Sequence, residues 1–312
     1  MISKIAIRIR EILKRNLLLE SIFYFIFRFL FFPISEKKIH FGFCTFCGKN
    51  SIFLMNTCYR RKDLEVIDPM AHRETGSCIF CTANTRRRFV AELIKKIIII
   101  KLIHQHLDIE TLKKSMDRLE LKKFSLKRIV NMIDSRDFWI YESGSAGPIH
   151  NILKEYQKYI YSEYFPNPRL KPGQIYRNVR FEDLQSLSFK DNSLDLIITL
   201  DVFEHVERPI NAFDEIYRVL RPNGVHVFTV PIGITKKTIP FFDDNGNPLH
   251  PLSYHDDPLR PGGALVHTQF GVDIVDILNR QNFPSFIATA QINPKFGIFS
   301  RVKVIISIKK VN

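Results

Sequence analysis

From Asp137 onward, short apolar runs alternate with stretches of helical period, and this alternation constrains the fold more than anything else in the chain. Parallel strands cannot be joined by a tight hairpin; each needs a crossover, usually a helix. Residues 137–312 therefore read as successive β-α units of an α/β, Rossmann-like, doubly wound sheet. At 312 residues with 45% hydrophobic side chains, the sequence has room for such a domain and for accessory segments before it.

The first unit, residues 137–153, reads as a buried strand, a glycine turn and a helix. Gly144 and Gly147 permit a tight turn and a close approach to a ligand where a Cβ would collide. A helix over residues 152–159 leads to a strand ending in Glu163, about 20 residues past the glycines, where dinucleotide-type folds place a carboxylate for ribose hydroxyls. A third strand, residues 175–181, runs into Asp183 and Leu184, an acidic side chain and a backbone N–H suited to an adenine edge. A fourth, residues 194–200, leads to Asp201 and His205. The helix that follows is expected to end in a left-handed cap at Gly224, before a fifth strand over residues 225–231.

Taken together, residues 189–198, 201–206 and 219–224 resemble the class I S-adenosylmethionine-dependent methyltransferases, and the resemblance covers residues 137–312. It implies a seven-stranded, mostly parallel sheet and S-adenosyl-L-methionine as cofactor. By that likeness Glu142, Gly144 and Gly147 lie around the methionine and ribose portions. Glu163 takes the ribose hydroxyls, Asp183 the adenine amino group and Leu184 the ring through its N–H, while Asp201 and His205 line the pocket. The chain departs from the usual three alternate glycines, with Ala146 and Pro148 at the second and third places. Pro148 suits the first turn of a helix. Residues 162–166, 182–185, 226–231 and 254–258 are also similar to a bacterial branch found among glycan-modifying methyltransferases.

Four of the five cysteines form two pairs, Cys44 with Cys47 and Cys78 with Cys81. A two-residue gap lets both thiolates of a pair reach one metal, and two pairs complete a tetrahedral site. The expectation is a structural Zn2+ in a cysteine-rich, zinc-ribbon-like segment over residues 40–90, in a reducing, cytoplasmic setting; Cys58 reads as an ordinary buried thiol. Residues 91–136 read as a helical connector.

The formal net charge is +14, and all of it lies in residues 1–136, which hold 27 Lys and Arg against 13 Asp and Glu. That half is expected to meet something anionic. Residues 1–39 join a basic start to an apolar, aromatic run broken by Glu20 and Arg28, which is too short and too charged to span a bilayer. They read either as a helix lying at an anionic membrane surface, making the protein peripheral at its inner face, or as a helix packed on the rest of the protein. Arg86, Arg87 and Arg88 are candidates for phosphate contact, or else a solvated helix start.

A long insertion over residues 232–268 follows the fifth strand and carries His250, Tyr254, His255, Asp257 and His267. Catalytic polar groups collect on loops beyond the carboxyl ends of parallel strands. His255 is the candidate base for an acceptor hydroxyl, with Asp257 or Tyr254 orienting substrate and His205 as rival base. The leading expectation is O-methylation of a sugar or lipid-linked glycan. Alternatives are methylation of RNA gripped by the basic segment, and an inactive binding or assembly protein that keeps the fold.

Overall fold

A computed structural model of the chain describes residues 39–55, 73–104, 106–232, 235–257 and 260–311. The expected interfacial helix, residues 1–39, lies outside the described residues except for Ile39, which opens a strand, and Cys58 also lies outside them. Among those described, no helix is long and apolar enough to cross a membrane.

The amino-terminal part is a three-stranded antiparallel sheet of β1 (Ile39–Cys44), β2 (Lys49–Leu54) and β3 (Ser77–Cys78). Three helices follow: α1 (Thr85–Ile103), α2 (Ile109–Arg118) and α3 (Leu126–Val130). Each opens on a short polar side chain, Asn84, Asp108 or Ser125, that accepts from a backbone N–H of the first turn. The expected connector is thus three capped helices in place of one run. Lys95, within α1, is fully buried because its ammonium donates to three carbonyls, Thr45 O at 2.8 Å, Leu121 O at 3.1 Å and Phe124 O at 2.8 Å.

The remaining chain builds an eight-stranded sheet from β4 (Ile140–Ser143), β5 (Tyr159–Glu163), β6 (Ile175–Tyr176), β7 (Val179–Phe181), β8 (Leu194–Leu200), β9 (Leu220–Thr229), β14 (Ser285–Thr289) and β15 (Lys303–Ile308). The strand order is β14-β15-β9-β8-β4-β5-β7-β6. The five strands from β9 to β7 are parallel, and β15 enters antiparallel between β9 and β14. The eighth strand is the two-residue β6. The expected third strand is in fact a hairpin, because Arg177 and Asn178 both take positive φ (50° and 63°), which folds β6 back on β7.

Both faces of the sheet are covered. Ile140, Leu196, Ile198, Val225 and Val227 point into a core shared with α1, α3 and α4 (Pro148–Leu153). Tyr141, Ile197 and Phe228 point into a second core under α5 (Pro209–Val219) and α6 (Ile274–Arg280). The period-2 alternation of strand side chains divides the two layers. Cys44, Phe46, Phe53 and Cys78 belong to the first of these cores.

Three smaller differences follow from local geometry. The helix expected over residues 152–159 lies earlier, at α4, which starts on Pro148 after the Gly147 cap. After α5 the left-handed residue is Asn223 (φ 64°); Gly224 is needed instead because a Cβ there would sit 2.7 Å from Arg221 O. The insertion after β9 is a pair of two-stranded ribbons, β10 (Ile239–Pro240) with β13 (Thr268–Gln269), and β11 (Tyr254–Asp257) with β12 (Arg260–Leu265).

Candidate active site

The carboxyl ends of the parallel strands carry the expected cofactor residues. Gly144 (φ 151°) and Gly147 (φ 102°) follow β4 in backbone conformations that favour glycine, and a Cβ on Gly144 would face open space. Glu163, the last residue of β5, closes on this turn: its Oε1 accepts from Ser145 N and from Ser145 Oγ, both at 2.7 Å. Asp183 lies just beyond β7, half-buried, its Oδ1 accepting from Gln185 N at 2.9 Å, and Leu184 beside it is buried. Glu142, Glu163 and Asp183 thus lie within two residues of the ends of adjacent parallel strands.

Glu142, on β4, is buried and accepts a hydrogen bond from Tyr159 Oη at 2.6 Å. Burial pushes its carboxyl up to about 8, although the Tyr159 hydroxyl and Arg87 favour the charged form. The folded value lies above the unfolded 4.5, so ionisation favours unfolding, and stability is fullest below 4.5 and falls as pH rises toward 8. Glu142→Gln is expected to flatten that fall, measured as urea midpoints between pH 5 and 8 (a range taken about the two pKa values). An unchanged pH dependence would contradict the burial account.

Asp201, directly after β8, is not an open pocket group. Its carboxylate pairs with Arg73 and with Arg86 Nη1 at 3.1 Å, and accepts from Thr229 Oγ1 at 2.9 Å. Burial alone would raise its pKa, yet the two guanidinium groups hold it down to about 2. Glu74 completes the network, taking Arg86 Nε at 2.5 Å and Asn84 Nδ2 at 2.5 Å. Arg88 is fully buried, donating through Nε to Gly297 O at 2.9 Å and stacked 4.4 Å over Phe53. The expectation that Arg86 and Arg88 contact phosphate or lie in solvent is therefore corrected: both are spent inside the protein. Arg87 alone of the three is only half-buried, with its guanidinium 3.4 Å from where a Cβ on Gly147 would stand.

The acceptor candidates divide. His205 lies in the short 3-10 turn Phe203–His205, and its Nδ1 is 2.8 Å from Leu265 O on β12. His255, on β11, packs edge-on against it with ring centroids 5.0 Å apart. Glu204 stands between them, 3.9 Å from His205 Nε2 and 3.9 Å from His255 Nδ1. Burial first, and then the charge of Asp201, push Glu204 well above the usual carboxylate range. Asp257 takes no part in this cluster; it pairs with Arg260 Nε at 3.4 Å. Sequence reasoning missed Glu204, whose only signal was adjacency to His205, and Arg73 and Glu74, which lie more than a hundred residues from Asp201 in the chain.

The four paired cysteines converge. Cys44 Sγ is 3.7 Å from Cys81 Sγ, Cys47 Sγ is 3.9 Å from Cys78 Sγ, and all four sulfurs lie within 4.8 Å of one another. A tetrahedral ion with bonds of about 2.3 Å spaces its sulfurs about 3.8 Å apart. The donor set fits such an ion. Each pair forms the same turn, with Gly48 N donating to Cys44 O and Thr82 N to Cys78 O, and the residue after each second cysteine is left-handed (φ 74° and 60°). Burial opposes ionisation of Cys78, but hydrogen bonds from the other three thiols and Ser51 hold it well below the ordinary thiol range. Cys81 is pushed well above that range, by burial first and then by its neighbours.

A family model described as a methyltransferase domain matches residues 154–228, from just after α4 through most of β9. An uncharacterized protein of Methanocaldococcus jannaschii is 31% identical over 113 residues, which are 36% of this chain and 45% of that protein. The chain thus spans less than half the length of this relative. Solved structures similar to the chain include an S-adenosylmethionine-dependent methyltransferase of Mesorhizobium loti, at 15% identity and a TM-score of 0.34 over 59% of this chain and 96% of that one. Another is a putative methyltransferase of Haloferax volcanii, solved in complex with a methyltransferase activator, at 12% identity and a TM-score of 0.32 over 58% and 88% of the two chains. A third is an S-adenosylmethionine-dependent methyltransferase of Methanosarcina mazei, at 14% identity and a TM-score of 0.31 over 55% and 92%. The span matched by the family model holds Glu163, Asp183, Asp201 and His205, together with four of the five parallel strands, β5, β7, β8 and most of β9; this part of the chain matches a methyltransferase domain.

Proposed function

We propose that the chain is an S-adenosylmethionine-dependent methyltransferase that methylates a hydroxyl of a sugar or lipid-linked glycan. The observation that carries the reading is the row of carboxylates Glu142, Glu163 and Asp183 at the ends of adjacent parallel strands, beside a glycine turn with open space above Gly144. S-adenosylmethionine supplies a methyl group on a sulfonium. Glu163 holds the ribose hydroxyls, Asp183 and Leu184 hold the adenine edge, and Arg87 faces the carboxylate of the methionine portion. The insertion brings the acceptor to His205 and His255. There the new carbon–oxygen bond forms as the carbon–sulfur bond breaks, sulfur keeps the electron pair, and the hydroxyl proton passes to His255. Tyr254, 53% exposed on β11, offers an aromatic face of the kind a sugar ring packs against. The basic first half of the chain suits a phosphorylated lipid carrier or an anionic membrane surface. We further propose that Cys44, Cys47, Cys78 and Cys81 hold a structural zinc ion.

Calorimetry with S-adenosylhomocysteine tests the cofactor half. Wild type is expected to bind, and Glu163→Ala to bind about 10- to 100-fold more weakly, the loss of hydrogen bonds to a charged group. If the wild type binds no S-adenosylhomocysteine, the enzyme reading fails and an inactive scaffold is left.

A further inference from the structure

Glu204 is 2% exposed in its side chain, and neither of its carboxylate oxygens has a hydrogen-bond partner among the described residues. A carboxylate is among the costliest groups to bury in that state, and proteins relieve it by pairing or by a metal. Two imidazoles converge on it. His205 Nε2 and His255 Nδ1 are each 3.9 Å from Glu204 Oε1, and the ligand atoms of the three residues all lie within 4.8 Å of one another. His205 is also set in the manner of a metal-bound histidine: its Nδ1 donates to Leu265 O at 2.8 Å, which leaves the lone pair on Nε2, toward Glu204. The peptide N–H of His267 donates to Glu204 O at 2.7 Å, so the insertion that carries His255 is tied to the turn that carries Glu204 and His205.

We propose that Glu204, His205 and His255 hold a divalent first-row transition-metal ion at the acceptor end of the site. Two imidazoles and one carboxylate are the mixed nitrogen and oxygen set that such ions take, and three protein ligands leave positions open for a substrate oxygen. Bonds of about 2.1 Å in a tetrahedral site put ligand atoms about 3.4 Å apart, so each histidine needs to close on Glu204 by about half an ångström on binding. The site differs in kind from the four thiols, which form a closed, soft set. As a Lewis acid the ion would lower the proton affinity of the acceptor hydroxyl, and the proton would then go to water in place of His255. That role rests on the methyl-transfer reading; binding of the ion does not.

The test takes the full chain with zinc already in its thiol site and titrates it with Co2+, followed by absorption and calorimetry. The expected result is one further Co2+ per chain, with a nitrogen and oxygen spectrum that lacks the intense sulfur-to-cobalt charge-transfer band. Its affinity should fall about tenfold or more in Glu204→Gln and in His255→Ala, and stay unchanged in His250→Ala, which lies on the same insertion outside the cluster. His255 stands on the partly exposed hairpin β11–β12, so its variant decides the matter even where Glu204→Gln does not fold. Absence of the further Co2+ in wild type, or undiminished affinity in His255→Ala, overturns the proposal. Because the titration needs no cofactor, Co2+ binding without S-adenosylhomocysteine binding would overturn the methyl-transfer reading alone.

Discussion

Cys78→Ser is expected to strip zinc from the chain and to remove most of its stability. Structural zinc contributes about 10–16 kcal/mol in small zinc-binding peptides, against about 5–15 kcal/mol for the whole stability of a typical domain. The loss cannot stay local. Cys44, Phe46, Phe53 and Cys78 lie in the same core as α1 and the inner strands of the large sheet, and Lys95 of α1 bonds the carbonyl of Thr45 inside the first cysteine turn at 2.8 Å. Metal analysis should find one zinc per chain in the wild type and none in the variant, with the urea midpoint displaced sharply downward. A wild-type chain free of zinc, or a variant that keeps it, would refute the assignment.

The second large effect concerns Asp201. Asp201→Asn leaves Arg73 and Arg86, whose side chains are only 11% and 8% exposed, without their shared carboxylate. Removing one partner of a buried ion pair costs about 3–5 kcal/mol where the other charge is left uncompensated; Glu74 still pairs with both guanidinium groups, so the expected loss lies toward the lower end of that range. Pairing Asp201→Asn with Arg86→Met is expected to recover part of that loss, since both sides of one contact then become neutral. The same pair bears on acid stability. The folded carboxyl is held down to about 2 against 3.8 unfolded, so its contribution is complete above 3.8 and is lost as pH falls toward 2. Denaturant unfolding of the single and double variants at neutral and acid pH measures both; a single variant as stable as wild type at neutral pH would show that the pair contributes nothing.

The places of the three carboxylates were legible because each lies within two residues of a strand end, and strand ends are marked locally by apolar runs that stop. Glu142, Glu163 and Asp183 could be placed by that rule alone. The glycine turn was legible for a similar reason, since Gly144, Gly147 and Pro148 answer to backbone conformations that few other residues adopt. Elements that depend on a turn of two residues were less so: the hairpin of β6 and β7 depends on Arg177 and Asn178 both entering the left-handed region, a choice that the strand-like composition around them hides.

By itself, then, the sequence determined the α/β class, the order of the carboxylates near the ends of the parallel strands and the pairing of the cysteines into two turns, because all three follow from periodicity and spacing within a few residues. Only the tertiary structure decided what the charged groups do. It brought Arg73 and Arg86 onto Asp201, buried Arg88 beneath Phe53, withdrew Asp257 to Arg260 and set Glu204 between two histidines from separate segments. A charge finds its partner across the fold through electrostatics and burial, and neither leaves a local mark in the chain.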